Sequence, residues 1–231
     1  TNGFGNHRLT EALDVIAGLG YDGVALTLDT NHLDPFDADL ARRTAVVAAE
    51  LQRRGLAVVV ETGARYLLDP WRKHSPTLMD DDPGRRLDYL RRAVRVGADL
   101  GAEAVSFWSG IGPPQRWDRL VDGCAEIIGG AGGMTLGFEP EPGMLVADIA
   151  DWRRLHADLG RPDGFGITLD IGHCRCLEPL PVPDCVLDVA EHLVNVQIDD
   201  MRRGVHEHLE FGTGEIDFPP VLRALTDAGY R

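Results

Sequence analysis

The chain has 231 residues, 44% apolar, 26% charged and 6% aromatic, and 37 acidic against 23 basic residues leave it a net charge of −14. That apolar share excludes a disordered polymer. The acidic balance disfavours nucleic acid as a partner, because every basic residue except Lys73 is an arginine scattered among carboxylates. No apolar run reaches the roughly 18 residues of a membrane span, and the first residues lack the basic-then-apolar plan of a signal peptide, so a cytoplasmic protein without a membrane partner is expected. Four cysteines (Cys124, Cys174, Cys176, Cys185) are too few for a disulfide scaffold. Cys174-x-Cys176 lacks the two-residue spacing of zinc knuckles and redox pairs, so all four are expected to be reduced.

In chain order, one pattern recurs: an amphipathic helix, a short turn containing Gly, and a compact apolar run. It occupies 9–29, 44–61, 91–108, 125–139, 147–170 and 185–199. The apolar runs predict strands at 23–28, 57–61, 104–107, 134–139, 166–170 and 194–199. They are nearly continuous rather than alternating, as in a parallel sheet covered by helices. Regular αβ alternation without an early Gly-x-Gly-x-x-Gly turn favours a (β/α)8 barrel over an open dinucleotide-binding sheet. One barrel-like domain over 1–231 is therefore expected, a length compatible with the about 250 residues such barrels occupy. The opening TNGFGNH reads as a strand-to-helix loop, and the closing Gly229-Tyr230 repeats the turn that at Gly20-Tyr21 leads into a strand. The first and last barrel strands are thus expected outside this chain; the competing reading is an open six-stranded sheet.

In a parallel barrel the chemistry gathers at the C-terminal ends of the strands. Those ends carry, in order, Asp29 and His32, Glu61 and Arg65, Trp108, Glu139 and Glu141, Asp170 and His173, then Gln197 and Asp199. Oxygen donors dominate the last three. Converging carboxylates repel one another unless one is protonated or a divalent ion lies between them.

Glu139, the Asp170-x-x-His173 pair and Gln197, followed by HEHLEFGTGEIDF at 206–218, resemble the xylose-isomerase-like barrel superfamily of sugar-phosphate isomerases and epimerases. The Gln at the predicted sixth strand here and the trailing Gly-x-Gly-Glu-Ile-Asp are similar to hydroxypyruvate isomerases and ketose 3-epimerases. The resemblance implies Glu139 as metal ligand and acid/base, with Asp170 and Gln197 as further ligands. Relatives often have His where Gln197 stands, and the amide favours Mn²⁺ or Mg²⁺, with Zn²⁺ and Co²⁺ as alternatives. The family's second acid/base, a Glu on the last strand, is not among these residues. The resemblance further implies substrate contacts from His173 and His208, with His206 either joining them or solvated, and a second metal among the three as the alternative. In related DNA-repair endonucleases a His-Pro-Gly metal motif stands where this chain has Trp108-Ser-Gly.

The long segment 63–83, with Arg65, Arg72, Lys73 and His74, is a candidate lid whose cations grip an anionic substrate end, or a solvated face. Trp71 and Trp108 are candidate sugar-stacking walls, and Glu141 a further substrate contact. The expected function is a metal-dependent isomerase or epimerase acting on a small sugar-like hydroxy-carbonyl compound by proton transfer through an enediolate. A homo-oligomer is compatible with the sequence. The alternatives are a metal-dependent phosphodiesterase on DNA, opposed by the net charge and Trp108, and a non-catalytic metabolite-binding barrel.

Overall fold

The computed structural model describes residues 1–63 and 65–230, which divide into two units. The first holds 1–107 and 122–135. Its elements are α1 (Leu9–Gly18), β1 (Gly23–Thr27), α2 (Leu40–Arg54), β2 (Ala57–Glu61), α3 (Gly84–Leu100) and β3 (Ala104–Phe107), with most of α4 (Trp117–Gly129). β1 pairs with β2 and β2 with β3, both parallel. The helices form where the apolar spacing predicts: α2 buries Thr44, Val47 and Leu51, one stripe at helical period. α2 and α3 end on Gly55 and Gly101 in the left-handed conformation, φ 68° and 66°, the chain reversal that returns each helix to a strand. Leu13, Leu26, Leu28, Val60, Tyr89 and Leu90 form the core.

The second unit holds 108–121 and 136–231. After the start of α4 it contains β4 (Leu136–Phe138), α5 (Ile149–Asp158), β5 (Phe165–Asp170), α6 (Ile171–Leu177), α7 (Val182–Asp188), β6 (Leu193–Gln197), β7 (Asp200–Arg202), β8 (Val205–Leu209) and α8 (Phe218–Asp227). β4 pairs with β5 and β5 with β6, again parallel. Asp148 caps α5, accepting the Asp151 amide at 2.8 Å. Phe138, Trp152, Ile167 and Val186 pack as the core of this unit.

All six sequence-predicted strands form, but not all are continuously buried. β3, β4 and β5 are buried throughout, whereas β1 and β2 leave Ala25 and Ala57 exposed. The segment at 200–209, beyond the six predicted strands, is the antiparallel hairpin β7–β8. His173, placed by the sequence at the end of a strand, stands in the first turn of α6, which starts directly after β5. All four cysteines are free and buried. No helix among the described residues is long and apolar enough to cross a membrane.

Candidate active site

The site is built on the ends of β4, β5 and β6. Parallel register sets Asp170 opposite Gln197, and Phe138 opposite Ile167, so Gln197 leaves the sheet beside Asp170, and Glu139 leaves it beside Thr168, two residues earlier on the same face of β5. Gln197 Nε2 lies 3.4 Å from Glu139 Oε2 and donates to it. Glu139 and Asp170 are both buried.

Asp170 is also the N-cap of α6. Its Oδ1 accepts the amides of Gly172 at 2.7 Å and His173 at 3.0 Å, while Oδ2 is 3.8 Å from His173 Nε2. Burial, then the nearby Asp199 carboxylate, raise the Asp170 carboxyl well above its ordinary range, outweighing those amides. Asp199 is a residue that the motif reading left without a role. It packs over Gly172, where any Cβ would stand 1.8 Å from Asp199 Oδ1, so only glycine admits this approach.

His173 Nδ1 is 2.9 Å from the Pro140 carbonyl and 3.7 Å from Glu139 Oε1. Desolvation pushes this imidazole down to about 4, so it is neutral near pH 7, and the Pro140 carbonyl selects the tautomer with the proton on Nδ1. Nε2 is left as a buried lone pair without a hydrogen-bond partner. One donor atom each from Glu139, Asp170 and His173 lie within 4.8 Å of one another, a group able to hold a metal ion.

β8 carries His206 and His208 on one face, two residues apart. Their ring centres lie 4.9 and 6.2 Å from that of His173. The three imidazoles form a second group of potential donors, and Asp170, Asp199 and His208 a third. His208 Nδ1 hydrogen-bonds Asp199 Oδ2; that bond, opposed by burial, raises the His208 pKa, with help from Asp170 and Glu141. Glu141 is thus within electrostatic reach of His208. Trp108, after β3, is buried.

Asp200, one residue beyond Asp199, is wholly structural. Its buried carboxylate accepts the amides of Gly212, Gly214 and Ile216 at 2.9, 2.8 and 3.1 Å, which pins the Gly-x-Gly-Glu-Ile segment. Burial opposes ionisation here, but the backbone donors together lower its pKa.

Arg65 belongs to the first unit, exposed on the segment after β2, and does not enter the groups above. Ala64, at the start of the proposed lid, lies outside the described residues. Within that segment Arg72 pairs with Asp69 at 2.8 Å. The buried Arg86 guanidinium holds the carbonyls of His74 and Pro76 at 3.0 and 2.8 Å.

Among known proteins, the chain is 26% identical over 235 residues to the L-ribulose-5-phosphate 3-epimerase UlaE of Shigella flexneri serotype 5b (strain 8401), covering 95% of this chain and 78% of that one. Its fold is similar to that of a solved D-tagatose 3-epimerase-like protein, with a TM-score of 0.76, 20% identity and coverage of 97% and 84%. It is also similar to a xylose isomerase-like TIM barrel protein from Mycobacterium smegmatis solved in complex with magnesium, with a TM-score of 0.72, 17% identity and coverage of 96% and 78%. The model of the xylose isomerase-like TIM barrel family matches residues 13–231, nearly the whole chain, and the chain belongs to that family.

Proposed function

We propose that this protein is a divalent-metal-dependent epimerase or isomerase of a small ketose or related hydroxy-carbonyl sugar, free or phosphorylated. The observation that carries this reading is the convergence of donor atoms from the buried Glu139, Asp170 and His173, an imidazole whose Nε2 has no hydrogen-bond partner. Two buried carboxylates, one of them with its charge disfavoured, fit a cation, which removes their repulsion. Sugar-epimerase relatives support the same reaction class.

Glu139, Asp170 and the Gln197 amide oxygen would hold the ion. The oxygen-rich donors favour Mn²⁺ or Mg²⁺, with Zn²⁺ and Co²⁺ as competitors. When bound, the ion supplies Lewis acidity toward adjacent carbonyl and hydroxyl oxygens. The Glu139 carboxylate takes the proton from the carbon beside the carbonyl and returns it, and its bond from Gln197 fixes the carboxylate plane. His173 Nε2 accepts a hydrogen bond from a substrate hydroxyl, since its neutral tautomer is set by Pro140. His208, His206 and Glu141 contact the remaining hydroxyls, and Trp108 offers an apolar wall.

The test is proton exchange in D₂O followed by NMR on L-ribulose 5-phosphate and D-tagatose, using chelator-treated protein reloaded with each of the four ions. Exchange should require a divalent ion and fall by about 10²-fold or more in Glu139→Gln. Undiminished exchange in that variant, or equal metal content in Asp170→Ala and wild type, overturns the assignment. Nicking of abasic duplex DNA with added Zn²⁺ would instead select the phosphodiesterase alternative.

A further inference from the structure

Asp199 has no role in the metal-and-acid set above, yet it is the residue to which His208, an exposed imidazole of the site, is tied. Its Oδ2 accepts from His208 Nδ1, and its Oδ1 is buried without a hydrogen-bond partner. The carboxylate rests on the first turn of α6, where Gly172 leaves room for it and for nothing larger. That seat is rigid because the Gly172 and His173 amides are committed to Asp170. His208, by contrast, stands on a two-stranded hairpin, and its side chain is 60% exposed. Without Asp199, such a ring samples several rotamers.

We propose that Asp199 is a positioning residue: through Nδ1 it fixes the ring and tautomer of His208, so that Nε2 is presented as a hydrogen-bonding group to a hydroxyl of the bound sugar. This rests on the reading of the site as that of a sugar epimerase and adds a residue to it. The groups around His208 are Asp199, Asp170 and Glu141, which favour its charged form, and His173 and His206, whose rings are its aromatic neighbours. A carboxylate on Nδ1 makes the opposite nitrogen a stronger acceptor when the ring is neutral and keeps it a donor when charged. Either state serves a hydroxyl, which can donate or accept.

The experiment uses ¹⁵N-labelled protein with Mg²⁺ and reads the histidine rings by long-range ¹H–¹⁵N NMR, with His208 assigned from its loss in His208→Gln. In wild type, Nδ1 of His208 should carry the proton, and adding D-tagatose should shift the Nε2 signal. In Asp199→Asn the titration midpoint of His208 should fall by about one unit, and the fixed tautomer should be lost. Asp199→Glu should restore part of both. For the sugar turned over, L-ribulose 5-phosphate or D-tagatose, kcat/KM should drop about tenfold in Asp199→Asn. Asp199→Asn with His208→Gln should be no worse than His208→Gln alone, since one residue acts through the other. An unchanged midpoint and tautomer in Asp199→Asn, or losses that multiply in the double variant, overturn the proposal. If wild type turns over neither sugar, the epimerase reading has failed by itself. The NMR arms then still decide whether Asp199 sets His208, and a D-tagatose response absent from Nε2 removes the substrate contact.

Discussion

The end of β1 and the end of β5 carry the same four-residue pattern, Asp29-Thr30-Asn31-His32 and Asp170-Ile171-Gly172-His173, and fold it the same way. In each, Oδ1 of the aspartate accepts the amides two and three residues on: 2.9 and 2.8 Å for Asp29, 2.7 and 3.0 Å for Asp170. In each, Oδ2 stands 3.8 Å from a ring nitrogen of the histidine. In each, that nitrogen is buried without a hydrogen-bond partner, His32 Nδ1 and His173 Nε2, and the other faces backbone carbonyls. The surroundings differ. The Asp29 side chain is 25% exposed and that of Asp170 only 2%. Glu139 and Asp199 crowd the second corner, while among the described residues Asp29 and His32 belong to no metal-capable group of three. One local motif thus closes a turn with no helix after it in the first unit, and caps α6 at the centre of the proposed site in the second; the difference lies in the neighbours.

The largest effect that would sharpen this contrast comes from removing the two aspartates in parallel. Asp170→Asn should lower kcat/KM on the epimerised sugar by about 10³-fold and abolish tight metal binding, whereas Asp29→Asn should stay within about threefold. Comparable losses from both would show that the first corner also serves the chemistry.

The histidines offer a stability test on metal-free protein. His173 has an ordinary value of 6.5 and is pushed down to about 4 by burial. The folded state therefore binds fewer protons than the unfolded one between those values, and stability falls as pH drops through that window. Full linkage corresponds to up to about 3 kcal/mol. Urea midpoints at pH 7 and pH 4.5 should differ less in His173→Gln than in wild type. An unchanged difference would place the acid sensitivity elsewhere.

A third change separates structural from functional aspartates within the second unit. Asp200→Ala strips three amides of their acceptor and should cost about 2–3 kcal/mol in thermal or urea unfolding. Its metal content should match that of wild type; metal loss equal to that of Asp170→Ala would break the distinction drawn between Asp199, Asp200 and the ligand set. The smallest effect is expected at the exposed corner. Asp29→Ala removes a partly exposed turn acceptor of two backbone amides and should cost about 1 kcal/mol, with activity retained.

Much of this was legible beforehand because it depends on local periodicity. The helix, glycine turn and apolar run register burial in the sequence itself, so the six strands and the residues at their ends could be named, Glu139, Asp170 and Gln197 among them. The hairpin β7–β8 was not legible. Val205 to Leu209 exposes most of its side chains, so no buried face writes an alternation, and the stretch that follows the hairpin is held by Asp200 reaching 12 to 16 residues along the chain. The helical start at His173 was hidden for a related reason. Asp170 ends an apolar strand and caps a helix at once, and Ile171-Gly172 carries no strong helical preference.

The sequence by itself determined the αβ repeat and the two Asp-x-x-His corners, because the aspartate-to-amide bonds there need only residues two and three apart. Only the tertiary structure decided which corner lies at the proposed site. That choice depends on parallel register setting Asp170 beside Gln197, on Pro140 selecting the tautomer of His173, and on Gly172 admitting Asp199. Each joins residues at least 27 positions apart along the chain, and burial among them, rather than any local preference, makes a carboxylate reluctant to ionise and leaves an imidazole lone pair waiting for a partner.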